Sequence, residues 1–177
     1  MKIFRYIGLA IMTALIAHEC SAQSDSAKVI KYEDEMTNQS FYTPSKNIPL
    51  ISPDNSSGFA VSLGIEQGNG KLVADGIRVK MFSMGSCCEK SELIVMFEDS
   101  TKFTLVSWNK FNCEGNAWFN LTDNQIKQLS EKPLLKIRLM NGYTFDSLTS
   151  EVSEGADEYF INLFEQMSAN LYTVKKE

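Results

Sequence analysis

Residues 91–118 read SELIVMFEDSTKFTLVSWNKFNCEGNAW, and this stretch decides the fold. Two apolar runs, rich in β-branched and aromatic residues, flank the polar tip Glu98-Asp99-Ser100-Thr101. That composition predicts a β-hairpin feeding a third strand. Its register stays open. A two-residue Asp99-Ser100 loop sets Met96 opposite Phe103 and Ile94 opposite Leu105. A three-residue loop instead sets Phe97 opposite Phe103, Val95 opposite Leu105 and Glu98 opposite Lys102. Both faces carry apolar groups, so alternation does not choose between them. A strand apolar on both sides belongs at the centre of a sheet or under cover on both faces.

Upstream of the hairpin, Phe59, Val61, Leu63 and Ile65 share one face of a half-buried strand. Gln67-Gly68-Asn69-Gly70 turns the chain, and residues 71–82 return with Ile77, Val79 and Met81 inward and Arg78 and Lys80 outward. Asp75-Gly76 interrupts this strand as a bulge. Further back, residues 29–32, 40–43 and 48–51 hold enough β-formers for short strands, the last pushed towards a sheet edge by Pro49.

Downstream, Thr122 with Gln125 three residues on is a capping box for a short helix that Pro133 ends. Residues 134–140 and 143–148 read as another hairpin around Asn141-Gly142. A bulged loop pairs Leu139 with Tyr143, Ile137 with Phe145 and Lys136 with Asp146. Ser153 is the expected cap of a last helix, with Glu154, Asp157 and Glu158 in its first turn. Its apolar stripe is Ala156, Tyr159, Phe160, Leu163, Phe164, Met167 and Leu171. Residues 174–177 should fray. The expected fold class is α+β: a mainly antiparallel, meandering sheet with one short helix and a C-terminal amphipathic helix packed on it. Three parts are expected: a signal peptide at 1–22, a polar leader with short edge strands at 23–57, and a single α+β domain at 58–177.

The signal reading rests on a basic start with Lys2 and Arg5, an apolar stretch from Ile7 to Ala17, and a small residue, Ala22, before Gln23. The apolar stretch is too short to span a bilayer, and no later stretch is long enough. A lipid anchor at Cys20 is less favoured, because Glu19 stands where a small residue is needed. Cleavage after Ala22 predicts an exported protein, periplasmic or extracellular. It also removes His18, the only histidine of 177 residues. Histidine-based catalysis and histidine metal ligation are then excluded. Removal of Lys2, Arg5 and Glu19 leaves 15 of 17 basic and 21 of 22 acidic residues, a net charge of −6. That argues against nucleic acid or an anionic membrane as partner.

Three cysteines then remain, Cys87, Cys88 and Cys113. In an oxidising compartment, one disulfide and one thiol are expected. Cys113 pairs with Cys87 or Cys88, both of which precede the hairpin that Cys113 follows. A vicinal Cys87–Cys88 bond strains the backbone and ranks below. The spacing suits neither a dithiol active site nor zinc. Glu89, Glu92, Glu98, Asp99 and Glu114 could supply a glycosidase pair, but they read as a solvated strand face and turn. Trp108 and Trp118 are the candidate ligand contacts if exposed, and core if buried.

Asp25-Ser26-Ala27, Asp99-Ser100-Thr101 and Asp146-Ser147-Leu148 resemble the O-glycosylation acceptor motif of secreted Bacteroidetes proteins. Ser26 and Ser100 are the better-placed acceptors. The signal ending Ser-Ala-Gln is similar to those of the same phylum. From Ile94 to Leu148, the turn Phe97-Glu98-Asp99-Ser100-Thr101, then Phe119 and Leu121, then Lys132-Pro133-Leu134 and Lys136-Ile137-Arg138, resembles small exported proteins of that phylum with no known function. The resemblance implies no catalytic residue and no ligand. The expectation is an exported, non-enzymatic protein without a cofactor that binds or scaffolds an envelope protein or glycan. A carbohydrate- or peptide-binding module using exposed aromatics is the alternative. A small glycosidase or a thiol-active protein ranks below both.

Overall fold

The computed structural model describes residues 26–85, 90–108 and 114–176. Strands β1 (Val29–Asp34), β2 (Gln39–Pro44), β3 (Ile48–Ile51), β4 (Gly58–Gly68) and β5 (Lys71–Phe82) come first. Then follow β6 (Glu92–Phe97), β7 (Lys102–Val106), β8 (Asn116–Phe119) and helix α1 (Asp123–Glu131). Strands β9 (Leu134–Met140) and β10 (Ser147–Glu151), helix α2 (Tyr159–Ser168) and strand β11 (Thr173–Lys176) complete the chain. The fold is sheet-rich α+β, and its strands form two sheets where one was expected. Sheet A runs β11-β1-β2-β4-β5-β8, with β3 also on β4; sheet B runs β10-β9-β6-β7. Every strand pair is antiparallel except β1 with β11.

Strands β4 and β5 build the spine of sheet A. Phe59, Val61, Leu63, Ile65, Ile77, Val79 and Met81 point inward, and Arg78 and Lys80 outward, as their alternation dictates. Asn69 (φ 50°) and Gly70 (φ 77°) make the two-residue turn. Opposite Gly64 stands Gly76, and opposite Ile65 stands Ala74, so Asp75 is the extra residue of a bulge. Strand β1 is bonded on both sides and is no edge.

In sheet B, β6 is central, between β9 and β7. Neither expected register of its hairpin occurs. Leu93 faces Leu105 and Val95 faces Phe103. The loop is Glu98-Asp99-Ser100, closed by Phe97 N to Thr101 O (3.0 Å) and Ser100 N to Phe97 O (3.0 Å). Ser100 sits at φ 65°. Burial of Leu93, Val95, Phe97 and Leu105 together in the core excludes the two-residue register, and the turn bonds at Phe97 start the three-residue loop one residue earlier than expected.

The β9–β10 hairpin also departs from expectation. Met140 faces Ser147 and Lys136 faces Glu151, so residues 141–146 form the loop and Tyr143 and Phe145 lie outside the strands. Asn141 is responsible. It is fully buried, and its Oδ1 accepts from Tyr143 N (2.8 Å) and Thr144 N (3.1 Å). Its Nδ2 donates to Met84 O (3.0 Å). Gly142 N donates to Ser91 Oγ (3.3 Å). These bonds turn Tyr143 and Phe145 out to 72% and 73% exposure, with Phe145 at φ 63°, an unusual conformation for a bulky residue.

Thr122 caps α1 as its sequence foretold: Gln125 N donates to Thr122 Oγ1 and Thr122 N to Gln125 Oε1. The second helix starts later than expected, at Tyr159, and Ser153 does not cap it; Glu158 occupies the N-cap without a side-chain bond. Residues 154–158 are turns. Helix α2 lies against α1, β5 and β1. Phe160, Leu163 and Met167 enter the core, while Leu171 is exposed. The tail does not fray as expected: β11 pairs with β1, Ile30 facing Thr173 and Tyr32 facing Lys175. Among the described residues no helix is long and apolar enough to cross a membrane.

Candidate ligand-binding face

Strand alternation that sends Val61, Leu63, Ile77 and Val79 into the core leaves their neighbours on the outer face of sheet A. Three rows cross it there. Ile51, Gly58 and Phe82 form one; Pro49, Ala60, Lys80 and Asn116 the next; Ser62, Arg78 and Trp118 the third. Gly64 and Gly76 follow. Glycine inside a strand marks close approach of another group, and here that group is aromatic. A Cβ on Gly58 would stand 2.3 Å from Phe82 Cζ. One on Gly64 would stand 3.0 Å from Trp118 Cη2, and one on Gly76 2.8 Å from Trp118 Nε1. The indole edge therefore rests on the bare backbone of β4 and β5. Gly76, at φ 144°, would also bring a Cβ within 2.6 Å of Phe119 O.

The two tryptophans divide in role. Trp118 is half-buried, and the Arg78 guanidinium lies 4.5 Å from its ring centroid. Trp108 is 56% exposed, and its backbone N–H donates to the backbone carbonyl of Trp118 (3.3 Å). That bond brings the end of β7 to β8, where sheet B meets sheet A. Beyond Arg78, β2 and β4 pair only through Tyr42 and Ile65. The resulting groove, about 310 Å³, is bordered by Phe41, Thr43, Glu66, Gln67, Asp75 and Arg78. Phe41 and Phe82 are 55% and 40% exposed. Sequence reasoning placed Arg78 outward but missed Phe41 and Phe82. The available signal was the pair of mid-strand glycines, Gly64 and Gly76.

The other expected site residues lie apart. Glu92 is on the outer face of sheet B, Glu98 and Asp99 are at the β6–β7 turn, and Glu114 precedes β8; Glu89 lies outside the described residues. Lys132 Nζ sits 2.6 Å from the Asp99 carboxylate, which also accepts from the Thr101 amide and hydroxyl. Lys132 first and Thr101 second hold the Asp99 pKa down at about 2. Hydrogen bonds from Ser52, then Ser56, hold Asp54 at about 2, and Thr37, then Met36, lower Asp34. These shifts favour charged carboxylates and run opposite to what a general acid requires. Among the described residues no three His, Cys, Asp or Glu side chains converge to hold a metal.

Ser26 is partly exposed and Ser100 exposed at its turn; Ser147 is exposed at the start of β10. Cys87, Cys88 and Cys113 lie outside the described residues. The flanks of their two segments are bonded together: Ser107 N to Ser91 O (2.8 Å) and Met81 N to Gly115 O (2.6 Å). No family model, curated protein or solved structure matches this chain.

Proposed function

We propose that this protein is an exported, non-enzymatic binding domain of the cell envelope that takes a carbohydrate on the outer face of sheet A. The observation that carries the reading is the Arg78–Trp118 pair on the outer face of sheet A, with exposed Phe41 bordering the groove beside Arg78, exposed Phe82 further along the same strand, and exposed Trp108 joined through its backbone to β8. Ring faces stack on sugar faces, and the nearby Asp75, Gln67 and Arg78 supply hydroxyl partners. Around Arg78, residues 77–80 of β5 are paired with both β4 and β8, so a ligand at this part of the face meets side chains rather than free strand amides.

The reading includes export through a signal at 1–22 with cleavage after Ala22, as in the small exported Bacteroidetes proteins that the sequence resembles. It takes α2 as the cover of the inner face of sheet A, one disulfide joining Cys113 to Cys87 or Cys88, and glycans on Ser26 and Ser100. Titration of the mature protein with a panel of neutral and acidic oligosaccharides, followed by tryptophan fluorescence and calorimetry, tests it. Binding that shifts the emission and weakens on Trp108→Ala supports the reading. Silence across the whole panel, or turnover of any sugar, overturns it.

A further inference from the structure

Resting on that reading, we infer that the ligand is an anionic glycan, one carrying carboxylate groups, and that Arg78 with Lys80 recognises the charge. Arg78 and Lys80 lie two residues apart on β5, both exposed and both on the outer face. Among the described residues no carboxylate pairs with Arg78, whose guanidinium lies over the Trp118 ring. A guanidinium stacked on an indole keeps its in-plane N–H fork free, and that fork matches a carboxylate. The stack also holds the fork in one place, so less side-chain freedom is lost on binding. Lys80 Nζ donates to the Glu114 carbonyl, which fixes its position while leaving its charge uncancelled by that contact.

Phe82 stands four residues from Arg78 along the same strand, roughly 13 Å at the rise of a β-strand. A chain of a few sugar rings can therefore stack on Phe82 and present a uronate carboxylate to Lys80 and Arg78. Glu66 and Asp75 border the groove beyond Arg78. They accept hydroxyls and repel a second carboxylate, which sets the direction of the chain. The protein as a whole is acidic, at −5 before export, so diffuse attraction cannot hold a polyanion, and recognition must be local.

The test uses the mature full-length protein and three probes: oligogalacturonate, alginate oligomers and hyaluronan oligomers, each beside its carboxyl-reduced, neutral form. Calorimetry should show at least one acidic form binding about tenfold or more tighter than its neutral partner, the effect of one charge-assisted contact. Arg78→Gln should remove that difference, Arg78→Lys should restore part of it, and Lys80→Gln should reduce it. If acidic and neutral forms bind alike, or a folded Arg78→Gln variant binds as tightly as the native protein, the inference fails while the carbohydrate reading stands. If no glycan of either kind binds, both fail. Should Arg78→Gln not fold, the comparison of acidic with reduced ligands on the native protein still decides.

Discussion

Replacing Gly76 by alanine should strike fold and candidate site together. At φ 144° a side chain occupies a backbone region suited to glycine, at a cost of roughly 1–3 kcal/mol. The new Cβ would also stand 2.6 Å from the Phe119 carbonyl and 2.8 Å from Trp118 Nε1. Overpacking of this kind costs about 1–3 kcal/mol. The sum is about 2–6 kcal/mol, a fall in melting temperature of roughly 4–24 °C for a chain of this size. Urea unfolding followed by circular dichroism should show a lower midpoint with an unchanged slope. Trp118→Ala removes the indole contact but leaves the one with Phe119. The double variant should therefore cost less than the two single changes together, by roughly 0.5–3 kcal/mol. Gly76→Ala within 0.5 kcal/mol of the native protein, or a strictly additive pair, would refute the seating of Trp118 on these glycines.

Asn141→Ala should cost about 2–3 kcal/mol, because the Met84 carbonyl and the Tyr143 and Thr144 amides lose a buried partner; thermal melting measures it, and a loss under 1 kcal/mol contradicts the role given to Asn141. Stability should decline in acid. Asp54 and Asp99 titrate at about 2 in the fold, against an ordinary 3.8. Their contribution is therefore complete above that ordinary value and is lost as pH falls towards 2. An Asp99→Asn variant should show a shallower loss in urea titrations at pH 5, 4, 3 and 2, and an unaltered profile counts against the Lys132 pair. Intact mass and thiol labelling of the purified protein, with and without reduction, should reveal one disulfide, and peptide mapping should place Cys113 in it; three freely labelled thiols exclude it.

The sequence yields the elements more readily than their assembly. Capping by Thr122, the Asn69-Gly70 turn, the bulge at Asp75 and the alternation of β4 and β5 are local chemistry, and each occurs where the residues demand it. The registers of both sheet B hairpins are not local. That of β6–β7 follows from core burial, which excludes the two-residue loop, together with turn bonds that close at Phe97 and Thr101. That of β9–β10 follows from burial of Asn141, whose partner Met84 lies far away in the chain. An Asn-Gly pair reads as a two- or three-residue turn until such a partner exists. Ser153 is a sound cap by composition, yet Leu134 N donates to Asp157 O (2.9 Å), and that bond ties down the segment meant to begin the helix. At the candidate site, Trp118 was visible as an aromatic and Arg78 as an outward residue. Their stack was not, because it requires β5 and β8 to be neighbours.

The parallel pairing of β11 with β1 joins the first described strand to the last. Nearly the whole chain must be present before that bond row can close, so the closing loop is long and late. Until then β1 has one neighbour and an open edge, a template for sticking to other chains. Sheet A therefore stays incomplete until β11 arrives. Fusions and truncations at the C-terminal end should accordingly lower the yield of soluble protein more than insertions at the exposed 141–146 loop.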